Sequence, residues 1–308
     1  MGFVGKAVCY WNLEFAMNLL LTEKAVQSWD VFLNNQDNKG HLERINNVEN
    51  IEEYVRLCFD SSNKMTSRVK ADLPNNFEPK SILEIGSSAG LNCYALQMAY
   101  PSAQVTGVEP EEVAVAAAKS MEQKKDPSPT FIVGFGETLP FDDMSFDLII
   151  CHTVIEHVQD VKSVIGEMSR VLMVGGAIHL DAPNYIWPYE PHLEIYTIPI
   201  FGKWFVKLTA ILQGKKKHIG FLNHLKFVTP GQLQRAFKQN GLVWKNRAKT
   251  KLLSASRGEG SIIKYKKSAL CLFILNKIGV SDFVICALLF VGLYPSVMYT
   301  LQKHHKTN

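Results

Sequence analysis

Residues 81–90 have the sequence SILEIGSSAG, in which a short apolar run leads directly into a turn of small residues. A helical segment follows, and the order of strand, glycine turn and helix makes a glycine motif informative. Gly86 and Gly90 allow the backbone to turn tightly and to approach a ligand closely. Ser88 replaces the central glycine of a dinucleotide fingerprint, so a pyrophosphate has less room and a nicotinamide-dependent oxidoreductase is disfavoured.

The same alternation of short apolar runs and helical segments continues on the carboxyl side of this stretch. We predict strands at 81–85, 104–108, 130–133, 146–151, 176–182 and 242–248, with helices between them at 90–99, 111–124 and 160–173. This alternation is typical of βαβ units and a parallel sheet. The predicted fold class is therefore α/β, a Rossmann-like doubly wound sheet that is mostly parallel.

Three regions differ in their sequence patterns. We expect a helical N-terminal region at 1–70, the Rossmann-like domain at 71–250 with an insertion at 183–228, and apolar helices with a final antiparallel strand at 251–308. Residues 283–302 carry no charged side chain, so a membrane-spanning helix is the alternative there. Pro295 and the alternation in YPSVMYTLQK favour the strand.

Composition narrows the functional class. The 308 residues are 47% hydrophobic and carry a net charge of +4, which supports a full core and disfavours dedicated nucleic-acid binding. The six cysteines show no metal-type spacing and are expected to be buried free thiols in a reducing compartment. The N-terminus lacks the pattern of a signal peptide, so a cytoplasmic location is expected.

The segment LEIGSSAG at 83–90 resembles motif I of the class I S-adenosylmethionine-dependent methyltransferases. The resemblance implies that the loop, Gly86, Ser87 and Gly90 included, binds the methionine part of the cofactor, and that Glu84 holds its amino group directly or through water. Glu109 ends the second predicted strand, where a carboxylate can accept both hydroxyls of a ribose. The alternative for Glu109 is a surface residue that begins the next helix.

A third segment, GFGETLPFDDMSFDLIICHTVIEHVQD at 134–160, resembles the methyltransferase type 11 group in its LPF, SFD and EHV elements. By family position Phe135 and Gly136 flank the adenine, with Glu137 beside them, although many relatives have aspartate in place of Phe135. The resemblance covers about 170 of the 308 residues. It implies S-adenosyl-L-methionine as the cofactor and methylation as the reaction.

Polar side chains follow the fourth and fifth predicted strands, where open α/β sheets bind ligands. His152 is predicted to contact the cofactor, and His157 to accept a proton from the acceptor at neutral pH. The alternative is that Glu156 and His157 only orient the loop. Asp181 is a second candidate, as a base or a contact to the acceptor, or else it satisfies backbone groups of the turn.

No metal ion is expected at this position. One related group of quinone-pathway O-methyltransferases carries an ExxEH array that is associated with a divalent metal. In the present chain Thr153 occupies the first acidic position of that array, ahead of Glu156 and His157. The chemistry is therefore predicted to proceed without a metal.

The insertion contains NYIWPYEPHLEIYTIPIFGKW at 184–204, and its PYEPH string resembles bacterial methyltransferases found with polysaccharide and cell-envelope pathways. We predict that it covers the acceptor and that its polar and aromatic residues bind a sugar or ring face. The candidates are Tyr185, Trp187, Tyr189, Glu190 and His192. The alternative for each is that it packs the insertion onto the core.

These observations together predict a transferase that methylates an oxygen of a sugar, a glycolipid or another small acceptor. The alternative is a catalytically silent methyltransferase-fold protein that acts as a membrane-associated binding partner. Residues 262–293 are strongly apolar and are expected to pack on the domain, to form a homodimer or to lie on a membrane surface.

Overall fold

The computed structural model describes residues 19–20, 22–35, 50–123, 127–258 and 266–303. Most of the apolar stretch at 11–21, Cys9 and the basic residues at 304–308 lie outside these ranges. The chain divides into two compact units, Met1–Ile150 and Cys151–Asn308.

The central element is a seven-stranded, mostly parallel sheet. Its strands are β1 (Ser81–Ile85), β2 (Gln104–Glu109), β3 (Thr130–Val133), β4 (Phe146–His152), β5 (Leu172–Pro183), β6 (Leu242–Asn246) and β7 (Ser296–Lys303). The strand order is β6-β7-β5-β4-β1-β2-β3, and β7 runs antiparallel to both β5 and β6. The predicted Rossmann-like fold with an antiparallel last strand is confirmed.

The first unit carries four described helices, namely α1 (Glu23–Asn34), α2 (Ile51–Asp72), α3 (Leu91–Ala99) and α4 (Glu112–Ser120). Side chains of Thr22 and Asn50 cap α1 and α2 by accepting backbone N–H groups of the first turn. A short antiparallel pair joins Leu19–Leu20 to Glu122–Gln123, so α4 ends before the predicted residue 124. Strand β1 is almost wholly buried, as expected of a parallel strand covered on both faces.

The second unit begins at the end of β4 and contains α5 (Val161–Val171) and α7 (Pro230–Gln239). Thr229 and Gln232 form a capping box at the start of α7, and Pro230 lies in its first turn. Strand β5 starts at Leu172, directly after α5, and is therefore longer than the predicted 176–182. In the register of β7 with β5, Met298 pairs with Asp181 and Thr300 with His179.

The insertion after β5 has a small core of its own. It contains short strands at Tyr189–Glu190 and Ile195–Tyr196, 3-10 helices at Pro199–Phe201 and Lys216–Asn223, and α6 (Lys203–Leu212). Buried apolar side chains from these elements form one cluster, composed of Leu193, Ile195, Val206, Ala210, Leu222 and Leu225. The insertion is therefore a packed substructure, because its own residues supply its core.

Between β6 and β7 the described residues form three further helices: α8 (Ala248–Ser256), α9 (Lys266–Lys277) and α10 (Ser281–Phe290). The amide of Ala248 donates to Asn246 Oδ1 at 2.8 Å, which ends β6 two residues before the predicted 248. Among the described residues, every helix is too short or too polar to span a bilayer. Cys271 and Cys286 are exposed, so the expectation of buried thiols is wrong for these two.

Candidate active site

The loop after β1 adopts a conformation that only small residues allow. Gly86 and Gly90 have φ of 70° and 80°, in the left-handed region where a Cβ is strained. The amide of Gly86 donates to Val108 O at 2.8 Å, which holds the loop against β2. A Cβ on Gly90 would lie 2.6 Å from the ring of Phe131, so this glycine also permits close packing.

The two serines of the loop have different surroundings. Ser88 has φ of 46°, and its amide donates to Glu109 Oε2 at 2.9 Å. The Ser87 side chain is buried towards β2, since a Cβ on Gly107 would lie 2.6 Å from Ser87 Oγ. The residue that replaces the fingerprint glycine therefore still provides a backbone N–H to the carboxylate at the end of β2.

Glu109 is held at the end of β2 by two backbone donors. Its Oε2 accepts from Ser88 and its Oε1 accepts from the amide of Glu111 at 3.1 Å. Burial raises the pKa of Glu109, and the two N–H groups act in the opposite direction. Each carboxylate oxygen keeps a second lone pair for a further donor, so the geometry fits the two hydroxyls of a ribose.

Glu84 is buried and ties β1 to the first turn of α3. Its Oε1 accepts from Asn92 Nδ2 at 2.8 Å, and its Oε2 accepts from Cys93 Sγ at 3.0 Å. Burial raises the pKa of Glu84 to about 7, against the lowering effect of these two hydrogen bonds. Both oxygens thus have partners inside the protein, and sequence analysis did not foresee either of them.

Phe135 presents an exposed ring after β3, with 56% of its surface accessible. The Phe135 carbonyl accepts from the amide of Thr138 at 3.2 Å, which closes the turn that contains Gly136 and Glu137. Gly136 is buried and Glu137 is half-buried. An exposed aromatic ring next to a tight turn fits one face of an adenine.

In the second unit, His152 at the end of β4 is paired with His179 of β5. The distance between His152 Nε2 and His179 Nδ1 is 2.7 Å, so one imidazole donates and the other accepts. Thr153 follows with φ of 54°, and its amide donates to Asp181 O at 2.8 Å. The Asp181 carboxylate lies 3.7 Å from Lys251 Nζ. His179 and Lys251 were not among the predicted site residues.

A cluster of one buried glutamate and two histidines lies in the loop after β4 and in the insertion, and 38% of the His157 side chain is exposed. Glu156 is fully buried, and neither carboxylate oxygen has a hydrogen-bond partner within the part of the chain that the structure describes. His157 Nε2 lies 4.0 Å from Glu156 Oε1, and the His157 and His192 rings are 5.3 Å apart. The ring of Phe221 contacts both histidines. The structure therefore brings the predicted His157 and His192 together.

Glu190 fixes the orientation of His192. Its Oε1 is 2.6 Å from His192 Nδ1, while its Oε2 accepts from the amide of Leu193 at 2.6 Å. Ligand atoms of Glu156, His157 and His192 lie within 4.8 Å of one another, so these three side chains could hold a divalent cation. The sequence-based prediction of a reaction without a metal stays a prediction.

The protonation of this cluster follows from its burial. Burial raises the pKa of Glu156 to about 8, and the carboxylates of Asp181 and Glu190 add to the effect. Burial also lowers the pKa of His157 to about 4, with a further contribution from His192. At pH 7 Glu156 is therefore mostly protonated and His157 is neutral.

The predicted aromatic candidates of the insertion differ in their exposure. Tyr185 is buried and stacks on Phe227, with ring centroids 4.5 Å apart. Tyr189 is half-buried, and its ring lies 5.2 Å from that of Tyr196. Trp187 is also half-buried. Of the three, Trp187 and Tyr189 keep accessible surface.

Comparison with known proteins identifies the family. Residues 83–180 match a family model described as a methyltransferase domain, and this range contains Glu84, Glu109, Glu156 and His157. The demethylmenaquinone methyltransferase of Staphylococcus aureus strain JH9 is 29% identical over 226 residues, which cover 67% of this chain and 88% of that protein. Residues 83–180 thus form a methyltransferase domain, and the matches together support a class I S-adenosylmethionine-dependent methyltransferase of the type 11 group.

One solved structure supports the methyltransferase fold, and a second is reported with it. The plantazolicin methyltransferase BpumL is 15% identical and has a TM-score of 0.50, with 92% of this chain and 95% of that chain covered. A methyltransferase of Thermotoga maritima, titled a possible histamine N-methyltransferase, is 16% identical with a TM-score of 0.47, over 91% of this chain and all of that one. The methyltransferase uses S-adenosyl-L-methionine, which supplies an electrophilic methyl group on its sulfonium when bound.

Proposed function

We propose that this methyltransferase transfers the methyl group to an oxygen of a sugar, a glycolipid or a similar small acceptor. The observation that carries the proposal is the neutral imidazole of His157, set beside buried Glu156 and the fixed ring of His192. A hydroxyl acceptor loses its proton when its oxygen gains a methyl group, and a neutral imidazole nearby can accept that proton.

The low pKa of His157 suits a late proton transfer. The hydroxyl proton becomes strongly acidic as the new carbon–oxygen bond forms, and a weak base then suffices to remove it. Glu156, which is buried next to His157 and has no hydrogen-bond partner within the described structure, is proposed to stay protonated and neutral beside this base. Asp181 stays a second proposed base or acceptor contact, with Lys251 nearby to hold its charge.

The acceptor is proposed to bind the insertion through Tyr185, Trp187, Tyr189, Glu190 and His192. Trp187 and Tyr189 have accessible ring surface for the face of a sugar. Glu190 acts through His192, which it orients. Tyr185 supports this segment from behind through its stack on Phe227. The PYEPH resemblance to polysaccharide-pathway methyltransferases supports a sugar as the first acceptor to test.

The cofactor is proposed to be held by residues of the first unit, and a cofactor contact of His152 is kept as a separate proposal for the second unit. Glu109 would bind the ribose, the exposed ring of Phe135 the adenine, and the turn through Gly86 and Gly90 the methionine part. The full proposed set is Glu84, Gly86, Ser87, Gly90, Glu109, Phe135, Gly136, Glu137 and His152. The observations that support the set are the two positive-φ glycines and the paired amides on Glu109.

Further proposals concern the organisation of the chain. We assign cofactor binding to residues 71–250, with 1–70 as a helical lead-in and 251–308 as apolar helices and a final strand. Homodimerisation or a peripheral membrane contact is proposed for residues 262–293. The helical character of α1, α2, α9 and α10 supports these assignments.

The test of the proposed function is a His157→Gln variant assayed against hydroxyl acceptors. Nucleotide sugars and short saccharides are incubated with radiolabelled cofactor, and the control is Lys238→Gln, which changes an exposed basic residue of α7. We expect kcat to fall about 100-fold in His157→Gln, since a positioned base contributes about that factor or more. Cofactor affinity should stay unchanged in both variants. Full kcat in His157→Gln would remove the proposed base.

A further inference from the structure

One face of α6 and of the turn before it exposes large apolar side chains to solvent. Trp204 and Leu212 have 67% and 77% of their surface accessible. Leu208 and Ile211 lie on the same face of α6 at spacings of three to four residues, and Ile200 and Phe201 are exposed in the 3-10 helix directly before it. We name these six residues the α6 face. The opposite side of α6 packs into the insertion core through Val206 and Ala210.

Exposure of this kind needs an explanation. An isolated apolar residue on a surface is ordinary, whereas a continuous group of six large side chains marks an interaction site. Both charged residues of α6 are lysines, and the helix has one apolar side that faces the insertion core and another that faces the solvent. The solvent side therefore has the composition of a surface that binds an apolar partner.

The charge of the chain is divided very unevenly along the sequence. Residues 195–258 contain 13 Lys and Arg and no Asp or Glu. Residues 195–308 as a whole contain 19 basic and 2 acidic residues, whereas residues 1–194 contain 14 basic and 27 acidic residues. The net charge of +4 is thus the sum of +17 in residues 195–308 and −13 in residues 1–194.

Residues 195–258 contain no carboxylate side chain that could neutralise the lysines next to the α6 face. Lys203 Nζ donates to Asn223 O and Lys207 Nζ donates to Asn223 Oδ1, both at 2.9 Å. These acceptors are uncharged amide oxygens. Burial, with the charges of Lys226 and Lys207, lowers the pKa of Lys203, as expected where positive charges are crowded.

We propose that the α6 face docks on an anionic lipid membrane, with the apolar side chains at the acyl boundary and the surrounding lysines on the lipid phosphates. Tryptophan and lysine are the residues that anchor amphipathic helices at this interface. Each lysine near an anionic leaflet contributes to binding, and the effect decreases with salt. A peripheral contact of this type requires no spanning helix, in agreement with the helix lengths among the described residues.

Docking through α6 goes beyond the proposed methyl transfer and does not depend on it. The two are linked in one respect, because the core side of α6 packs on Leu193 and Ile195, which adjoin Glu190 and His192. A membrane under α6 would hold this part of the insertion near the lipid surface. An acceptor carried on a lipid would then reach this part of the insertion by diffusing along the membrane.

The experiment is flotation of the full chain with vesicles of phosphatidylcholine alone or with about 30% phosphatidylglycerol. We expect binding to the anionic vesicles only, and weaker binding as salt is raised. The variant Trp204→Glu/Leu212→Glu should bind at least about tenfold more weakly, because two acidic side chains replace apolar contacts. The matched control is Val31→Glu/Leu57→Glu, which alters exposed apolar residues of α1 and α2. It should bind like the parent.

A second variant keeps the test valid if the first one misfolds. Lys215→Gln/Lys216→Gln leaves every apolar contact in place and should weaken binding about tenfold at low salt, with a smaller salt dependence. Circular dichroism and binding of S-adenosylhomocysteine establish that each variant is folded, and they do so independently of methyl transfer. Parent-like flotation of either variant would contradict the proposal.

The same set of proteins distinguishes two alternatives, a membrane surface on α10 and a second copy of the chain as the partner. The variant Phe283→Glu/Phe290→Glu alters α10, where Phe290 has 92% of its surface exposed. Loss of flotation in this variant alone would move the membrane surface to the predicted 262–293 segment and overturn the α6 assignment. Light scattering that finds a dimer in the parent, a monomer in the α6 variant and no vesicle binding would make a second copy of the chain the partner.

Discussion

The loop after β1 and the histidine cluster of the insertion satisfy their polar groups in opposite ways. In the loop, the carboxylates of Glu84 and Glu109 each accept two hydrogen bonds from the protein. In the cluster, Glu156 is fully buried, and neither of its oxygens has a hydrogen-bond partner among the described residues. Buried polar groups are nearly always paired, so this carboxyl is unusual.

This difference separates two tasks. A cofactor that is bound in every catalytic cycle favours a preformed loop whose backbone already holds its carboxylates, because preorganisation lowers the cost of binding. An acceptor that must lose a proton favours titratable groups with displaced pKa values, and those are found at Glu156 and His157. The predictions below test the packing of the loop, the titration of the cluster and its independence of metal.

The largest expected effect is on the packing of the loop. Gly90→Ala should lower the free energy of unfolding by about 3 kcal/mol, because its Cβ would overlap the Phe131 ring at a positive φ. Gly241→Ala is the matched control, since Gly241 has φ of 66° and open space around its Cβ position. It should cost about 1 kcal/mol. Urea unfolding of both variants measures the difference. Equal losses of unfolding free energy would show that overlap with Phe131 does not destabilise Gly90→Ala.

A smaller effect is expected from the titration of Glu156. Its folded pKa of about 8 exceeds its ordinary value of 4.5, so the folded state binds the extra proton and loses stability as the pH rises between these values. Glu156→Gln cannot titrate. Relative to this variant, the parent should lose about 2 kcal/mol of unfolding free energy between pH 6 and pH 8.

Urea denaturation of the parent and Glu156→Gln at several pH values measures this difference. Asp142→Gln is a suitable control because Asp142 is an exposed carboxylate on a loop. Parallel pH profiles for the parent and Glu156→Gln would mean that Glu156 is already ionised at pH 6. The buried carboxyl would then need a positive partner.

The smallest expected effect is that of a chelator. In the proposed mechanism His157 is a free base, so dialysis against EDTA should leave kcat and acceptor KM unchanged within error. Zinc added at micromolar concentration should inhibit, because Glu156, His157 and His192 offer ligand atoms within 4.8 Å of one another. Loss of activity in EDTA that returns with a divalent ion would instead assign these side chains to a metal.

The sequence predicted the strands of the sheet more accurately than the contacts among Glu156, His157 and His192, because strand ends are marked by local residue patterns. Strands at 81–85 and 130–133 are found with the predicted bounds, since glycine, proline or polar residues end each apolar run. The extent of β5 was underestimated because Met173 and Val174 continue directly from α5 without a breaker. Local patterns thus determine where strands lie, and they are less informative where two elements join.

The contact of His157 with His192 depends on tertiary folding. The two residues lie on different segments, and their spacing in sequence carries no periodic signal for a contact. The sequence strings EH at 156–157 and EPH at 190–192 indicated both histidines as candidates. The lack of a hydrogen-bond partner for Glu156 among the described residues, and the pairing of His152 with His179, could be seen only in the structure. The exposed α6 face was likewise hidden within an insertion expected to cover the acceptor.

The most direct test of the account is calorimetry of S-adenosylhomocysteine with the parent, Glu109→Ala and Glu112→Ala. The parent should bind at micromolar concentration, and Glu109→Ala should bind about 100-fold more weakly, because two charge-assisted hydrogen bonds to the ribose are lost. Exposed Glu112 serves as the control and should have no effect. Equal affinity of Glu109→Ala and the parent, or no binding by the parent, would contradict the assignment of the first unit as the cofactor site.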